Sequence, residues 1–232
     1  MPTVLLVRHG RTDANAAAVL TGRTPGTRLD GVGRAQARSL ADRLAGVTLG
    51  AVVSSPLERC LETATALTSE RGRPAVEVDD RLTECDYGDW TGRTLATLTR
   101  TKLWKVVQAH PSAATFPGGE SLRSIQARAV EAVRAHDAKV GANAGPDAVW
   151  VAVSHGDVIK AVVADALGLH LDLFQRLVVD AGSVTIVRYT DLRPFVVRLN
   201  DTGGDLSGLR RRAENRRQPS SDATVGGAAG TT

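Results

Sequence analysis

Two histidines, each followed by a glycine, lie just beyond two short apolar runs. His9 follows the run Val4–Val7, and His155 follows the run Ala148–Val153. Such runs are typical of strands buried on both faces, and open α/β sheets bind ligands at the carboxyl ends of their strands. Glycine lets a ligand approach the backbone closely. A single histidine of this kind is more often structural, but two in matching positions indicate a ligand site at one sheet edge.

Two arginines are placed to bind an anion at the same edge. Arg8 precedes His9, and Arg59 falls in the first turn of a predicted helix, where free N–H groups and the helix dipole already attract negative charge. Together the two guanidinium groups can hold a phosphate in bidentate fashion. Either arginine alone would be read as a solvated surface charge, so it is the pair that indicates a phosphate site.

A segment rich in acids and aromatic residues follows the third predicted strand. It contains Glu84, Asp86 and Asp89 among Tyr87 and Trp90. A carboxyl group beside aromatic rings could serve as a general acid. Read by itself, the segment is equally compatible with an ordinary charged surface loop.

Four short motifs together resemble the signature of the histidine phosphatase superfamily, also called phosphoglycerate mutase-like. One Arg-His-Gly would be weak support, but four motifs in the right order and at the right strand ends are specific. The resemblance spans residues 3–190. The motifs are Arg8-His9-Gly10-Arg11-Thr12 with Asn15, Ser55-Pro56-Leu57-Glu58-Arg59 followed by Thr63-Ala64, Glu84 ahead of Tyr87-Gly88-Asp89-Trp90-Thr91-Gly92, and Ser154-His155-Gly156.

The resemblance implies a role for each of these residues. His9 is the expected nucleophile, which becomes a phosphohistidine, and Glu84 is the expected proton donor. Arg8, Arg59 and His155 are expected to surround the phosphoryl oxygens as cationic groups. We find no pattern of metal ligands, so neither a metal nor another cofactor is expected. The residues expected on the substrate-binding side are Asn15, Thr21, Gly22, Tyr87 and Gly156.

The expected function is hydrolysis of a small phosphorylated metabolite, with a phosphomutase of the phosphoglycerate mutase type as the alternative. In the mutases, a lysine and an adjacent arginine pair bind the second anionic group. Here Leu95 stands where that lysine is expected, and residues 117–121 read Pro-Gly-Gly-Glu-Ser. Asp157 replaces the usual asparagine and would repel a second anion if it faced the pocket. Against this, Arg11, Arg23 and Arg93 could supply the missing charge. The sequence does not identify the physiological substrate.

Two further classes of function receive less support. The intact set of five reactive residues argues against a non-catalytic binding module. The net charge of +4 suggests nucleic acid binding, but half of that excess lies in residues 203–232, and the chain has only three Phe, two Tyr and three Trp to stack on bases. No apolar stretch reaches the length of a membrane helix, so a cytoplasmic protein without membrane or nucleic acid partners is expected. Whether it forms a homo-oligomer is left open.

The alternation of apolar runs and amphipathic segments predicts an α/β fold, a three-layer α/β/α sandwich with a mainly parallel sheet. Residues 94–120 are expected to form a small helical cap that sets specificity. Predicted strands cover residues 4–7, 49–53, 75–78, 148–153, 178–179, 184–189 and 195–199. Predicted helices cover residues 33–45 (with Asp30 as N-cap), 56–71 (with Pro56 in its first turn), 94–109, 121–139 and 157–167. His136 is expected to be solvated on a charged helix face.

The catalytic domain is predicted to span residues 1–202, followed by a disordered tail, residues 203–232. The tail lacks apolar periodicity and cannot bury enough surface to offset the entropy of ordering. A chain that ends at residue 202 should therefore keep the melting temperature and the kcat of the full chain. Calorimetry and steady-state kinetics check this, and a melting temperature several degrees lower would show that the tail docks on the domain.

Overall fold

The computed structural model describes residues 2–69 and 72–204, which form one six-stranded sheet flanked by helices. Along the sheet the strands run in the order β3-β2-β4-β1-β5-β6. The first four are parallel, β5 runs antiparallel to its neighbour β1, and β6 runs antiparallel to β5. The predicted α/β fold with a mostly parallel sheet is thus confirmed. The strands are β1 (Thr3–Arg8), β2 (Leu49–Ser54), β3 (Val76–Val78), β4 (Val149–Ser154), β5 (Val184–Tyr189) and β6 (Pro194–Asp201).

Helices cover both faces of the sheet, because successive side chains of a strand point to opposite faces. In β1, Leu5 and Val7 pack towards one helical layer, while Val4 and Leu6 pack towards the other. Burying one such aliphatic side chain contributes about 1.5–3 kcal/mol to stability. The helices are α1 (Asp13–Ala16), α2 (Gly31–Leu44), α3 (Glu58–Leu67), α4 (Leu95–Leu98), α5 (Lys102–Ala109), α6 (Leu122–Ala144) and α7 (Gly156–Ala166).

The two helix starts predicted near the site have different outcomes. Asp30 is the N-cap of α2, and its Oδ1 accepts a hydrogen bond from the Gly33 N–H at 2.7 Å, as predicted. The prediction for Pro56 is wrong, because the backbone stays extended through Leu57 and α3 begins at Glu58. Helix α3 ends at Leu67; the predicted end near Arg71 lies outside the described residues.

The single helix predicted over residues 94–109 is two helices, α4 and α5. Threonines cap both of them: the Thr94 hydroxyl accepts from the Thr97 N–H, and the Thr101 hydroxyl accepts from the Trp104 N–H at 3.3 Å. Threonine hydroxyls compete in this way for backbone N–H groups and therefore favour helix starts. The segment of residues 94–120 nevertheless contains two short helices, so the predicted helical insertion is present. Among the described residues, no helix is long and apolar enough to cross a membrane.

Two further expectations are wrong. Residues 178–179 form no strand; the Val179 carbonyl oxygen instead accepts a hydrogen bond from an amino nitrogen of Arg8 at 2.8 Å. His136 is not solvated but buried, with its Nε2 2.8 Å from Asp79 Oδ2 and its ring against Trp150. In both cases the partner lies far away along the chain, so no local pattern indicates the contact.

Gly88 fixes how closely the segment after Glu84 packs against residues 117–119. Its φ is +50°, and a Cβ atom there would overlap the Pro117 carbonyl oxygen and the backbone of Gly118 and Gly119. Gly88→Ala should therefore lower the free energy of unfolding by about 2–4 kcal/mol, from left-handed strain and overpacking together. Denaturant unfolding measures the loss.

Gly92 provides a matched control, because its φ is +81° but a Cβ atom there would meet nothing within 4 Å. Gly92→Ala should cost only the backbone strain, about 1–2 kcal/mol. Equal losses in the two variants would show that the close approach at Gly88 contributes nothing.

Candidate active site

The parallel pairing of β1 with β4 brings His9 and His155 together at the carboxyl edge of the sheet. Arg8 pairs with Ser154 in register, and the His9 N–H donates to the Ser154 carbonyl oxygen at 3.0 Å. The imidazole ring centroids are 5.2 Å apart, with the rings edge to face, and both side chains are buried. The predicted meeting of the two histidines at one edge is confirmed.

The hydrogen bonds of His9 assign its tautomer and leave one nitrogen directed at the site. Nδ1 lies 2.7 Å from the Gly10 carbonyl oxygen, which can only accept, so Nδ1 carries the proton. Nε2 then holds the lone pair, and it accepts from Arg59 Nε at 3.2 Å. Burial, reinforced by Arg59 and Arg8, lowers the pKa of His9 well below its usual value. The ring is therefore neutral at pH 7.

Arg59 connects the parts of the site. Besides contacting His9, its guanidinium donates to the Gly22 carbonyl oxygen at 2.8 Å and to His155 Nδ1 at 3.2 Å. The side chain is 2% exposed. Its other amino nitrogen has no hydrogen-bond partner among the described residues. Arg59 thus offers an incoming anion a buried cationic donor that is already oriented.

Arg8 is the second buried cation of the site. Its contact with the Val179 carbonyl oxygen anchors the guanidinium group, whose charge acts on His9. Burial lowers the pKa of Arg8, and the carboxylates of Glu84 and Asp157 oppose that effect. A buried charge is tolerated when other groups compensate it in this way. Arg8 and Arg59 therefore meet in the buried space around His9, as predicted.

His155 is neutral in the free enzyme. Its Nδ1 faces Arg59, which can only donate, so the ring proton lies on Nε2, 2.8 Å from the Ser55 hydroxyl. Burial, with Arg59 and His9 adding to it, lowers the pKa of His155 well below its usual value. His155 can therefore add the expected positive charge only when an anion occupies the site, because a nearby anion favours the protonated ring.

Glu84 is a buried carboxyl group with a strongly perturbed pKa. Oε1 accepts from the Cys85 N–H at 2.9 Å, and Oε2 lies 3.7 Å from His155 Nδ1. Burial, followed by the charge of Asp157, raises the pKa of Glu84 to about 7, while Arg59 and Arg8 oppose the rise. At neutral pH the group therefore holds a proton about half of the time, as a general acid should.

The backbone at Glu84 is held by an ion-pair cluster that the sequence did not indicate. The Glu84 carbonyl oxygen accepts from Arg23 at 2.9 Å and from Arg128 at 3.1 Å, and both arginines pair with Glu120. These residues come from a loop, a helix and the end of the insertion. Their types and spacing in the sequence do not predict this cluster, because only the fold brings the three residues together.

Two hydroxyl groups at the site were also not predicted from the sequence. The Ser55 hydroxyl orients His155, and the Thr63 hydroxyl accepts from the Gly10 N–H at 3.1 Å. Both residues belong to the motif that includes Arg59, and this position is the feature of the sequence that could have indicated their place at the site.

The residues expected on the substrate side are held by different partners. Asn15 Oδ1 accepts from the Thr12 N–H and hydroxyl, capping α1, and the Gly22 carbonyl oxygen binds Arg59. Thr21 is half-buried, and Gly156 is the first residue of α7. The Tyr87 hydroxyl, fully buried, donates to Asp157 Oδ2 at 2.9 Å. Direct contact of these five residues with substrate remains a prediction.

Asp157 exposes no surface, and its Oδ2 accepts a hydrogen bond from the Tyr87 hydroxyl. Repulsion of a second anionic group by Asp157 remains a prediction. Within residues 2–69 and 72–204, no cluster of three or more His, Cys, Asp or Glu side chains is placed to hold a metal ion.

A mostly parallel α/β sheet with this site at its carboxyl edge matches the profile of the histidine phosphatase superfamily (branch 1) over residues 4–202. The chain belongs to this family and is an enzyme. It is 36% identical over 173 residues to a glucosyl-3-phosphoglycerate phosphatase of Mycolicibacterium vanbaalenii, covering 73% of this chain and 76% of the relative. It is 30% identical over 214 residues to the probable phosphoglycerate mutase GpmB of Proteus mirabilis, covering 90% and 95%.

A solved structure of the mycobacterial glucosyl-3-phosphoglycerate phosphatase in complex with VO3 superposes with a TM-score of 0.77. It is 30% identical in sequence and covers 86% of this chain and 99% of its own. This likeness confirms the resemblance read from the four motifs.

The pKa of Glu84 predicts how turnover depends on pH. A carboxyl group with a pKa of about 7 is protonated below that pH, so kcat for an alkyl phosphate should fall as pH rises through 7. Glu84→Gln should lower turnover of alkyl phosphates by about 10²–10⁴-fold. It should affect p-nitrophenyl phosphate much less, because that leaving group needs little protonation.

Asp86 is the comparison residue, since it lies in the same segment and its Oδ1 accepts from the Gly88 N–H at 3.0 Å. Asp86→Asn should affect both substrates alike. Equal losses on both substrates in Glu84→Gln would assign Glu84 a binding role, and a leaving-group dependence in Asp86→Asn would make Asp86 the acid.

Proposed function

We propose that this enzyme hydrolyses phosphomonoesters of a small metabolite through a phosphohistidine on His9, without a metal ion. One observation carries the proposal: the Nε2 lone pair of a neutral, buried His9 points at Arg59, while Nδ1–H is fixed on the Gly10 carbonyl oxygen. A neutral imidazole with its second nitrogen anchored is a preorganised nucleophile.

In the first step His9 Nε2 attacks phosphorus, and the bond from phosphorus to the ester oxygen breaks. Glu84 gives its proton to the departing oxygen and becomes a carboxylate. Arg59 and Arg8 stabilise the charge spread over the phosphoryl oxygens. His155 joins them by taking up a proton from solvent as the bound phosphate raises its pKa, and it releases that proton when inorganic phosphate leaves.

In the second step a water molecule attacks the phosphohistidine. The Glu84 carboxylate accepts a proton from that water, the bond from phosphorus to Nε2 breaks, and inorganic phosphate leaves. His9 returns as the neutral ring and Glu84 returns protonated. One carboxyl group thus serves as acid and then as base, which its pKa near 7 allows in both directions.

Hydrolysis is favoured over transfer to a second substrate by the state of the arginines that could bind another anion. Arg11 pairs with Asp30 at 2.7 Å, and Arg23 pairs with Glu120 at 2.8 Å. Two of the three arginines considered for that role are therefore already paired with carboxylates of the protein. The relative in Mycolicibacterium vanbaalenii makes glucosyl-3-phosphoglycerate the first ester to test.

His9→Ala should remove at least about a thousandfold of the activity, as loss of an essential nucleophile does. Wild-type enzyme quenched during turnover should carry an acid-labile phosphate on His9, detected by mass spectrometry. His170→Ala is the control, since His170 is exposed and pairs with Asp172 outside the site. Near-normal turnover of His9→Ala would contradict the proposal.

The mutase alternative is tested with 3-phosphoglycerate, with and without 2,3-bisphosphoglycerate, by following 2-phosphoglycerate and free phosphate together. The assays contain EDTA, because the proposal requires no metal. Isomerisation faster than phosphate release, above about 1 s⁻¹, would favour the mutase. Loss of activity in EDTA that Mg²⁺ or Zn²⁺ restores would contradict metal independence.

A further inference from the structure

A second buried carboxylate, Asp157, lies behind the site and has no step of the reaction assigned to it. It is the second residue of α7, whose N-cap is His155, and it exposes no surface. The Tyr87 hydroxyl donates to its Oδ2 at 2.9 Å, and Tyr87 stands three residues after Glu84. Asp157 thus connects the helix that begins at His155 with the segment that carries Glu84.

The partner of Asp157 on its own helix is also buried. Lys160 is 2% exposed; its Nζ lies 3.9 Å from Asp157 Oδ1 and donates to Gln175 Oε1 at 3.2 Å. Removing two charges from water costs several kcal/mol per ion, and apolar residues of similar volume often serve stability equally well. Packing therefore does not explain why charged groups occupy this position.

The charge of Asp157 acts on Glu84. After burial itself, Asp157 contributes most to raising the pKa of Glu84. The other charged or titratable groups around the two carboxyls come from several elements. They are Arg8 of β1, Arg59 of α3, Cys85 and Tyr87 of the Glu84 segment, His155 at the start of α7, Lys160 of α7, and Arg23 and Arg128 on the Glu84 carbonyl oxygen.

We propose that Asp157 is a positioning residue for the reaction: through its hydrogen bond with Tyr87 it joins the Glu84 segment to the helix of His155, and its carboxyl group acts electrostatically on that of Glu84. Lys160 is the buried counter-charge of Asp157 on the same helix. The proposal rests on the proposed function, because it requires that Glu84 be the acid.

Two substitutions separate the charge of Asp157 from its hydrogen bond. Asp157→Asn keeps an oxygen that accepts from Tyr87 but removes the charge. With an alkyl phosphate, the fall of kcat with rising pH should move from about pH 7 to roughly one unit lower, with KM little changed. Tyr87→Phe keeps the charge and removes the bond. It should lower kcat on the alkyl phosphate by about tenfold, through misplacement of the acid, and change p-nitrophenyl phosphate turnover less.

Asp157→Asn leaves Lys160 without its counter-charge, so the double variant Asp157→Asn/Lys160→Met is measured beside it. The double variant removes the charge of Lys160 together with that of Asp157 and should show the same displacement of the pH profile. Asp165→Asn is the matched control on the same helix, because Asp165 is half-buried and pairs with Arg134 away from the site. Its pH profile should equal that of the wild type.

The proposal and the function on which it rests fail in different ways. If the wild-type enzyme releases no phosphate from any ester, the proposed function is wrong. If the wild type is active and Glu84→Gln shows its leaving-group dependence, the inference is tested by itself. It is overturned when the folded double variant keeps the wild-type pH profile and Tyr87→Phe keeps the wild-type kcat on the alkyl phosphate.

Discussion

The guanidinium group of Arg59, buried between two imidazole rings, is the interaction on which the site depends. An isolated cation in this position would cost several kcal/mol. Here it is compensated by a carbonyl oxygen and by the lone pairs of His9 and His155. Because both rings act as acceptors towards Arg59, both stay neutral. One cation thus fixes the protonation state of the proposed nucleophile and orients the second histidine.

The same burial sets the chemistry of the carboxyl group. Glu84 and Asp157 are both buried, and the charge of Asp157 adds to burial in raising the pKa of Glu84, because two neighbouring carboxylates resist full ionisation. Lys160 pairs with Asp157, and the Tyr87 hydroxyl donates a hydrogen bond to it. Arg23, Glu120 and Arg128 hold the backbone at Glu84 from the opposite side. The ion-pair cluster therefore holds the backbone of Glu84, while burial and the charge of Asp157 set the pKa of its carboxyl group.

Much of the fold could be predicted because the relevant patterns are local. Apolar runs located the strands that carry the site, and Asp30 marked the start of α2. The errors share a cause. Residues 94–109 were read as one helix, although the threonine hydroxyls of Thr94 and Thr101 cap two. His136 was read as solvated because its neighbours on the helix are charged, but its partner Asp79 lies 57 residues away. A contact between residues so far apart in the chain does not change the local pattern of apolar and polar residues.

The sequence by itself determined the family and the fold class and predicted the reactive groups, because strand ends and short motifs consist of consecutive residues. Only the tertiary structure decided the states of those groups. That His9 and His155 are neutral, that the pKa of Glu84 lies near 7 and that Asp157 faces the interior all follow from burial and from charges on other elements. The physical reason is that a pKa depends on the solvent and charge around a group, and the chain creates that environment only when it folds.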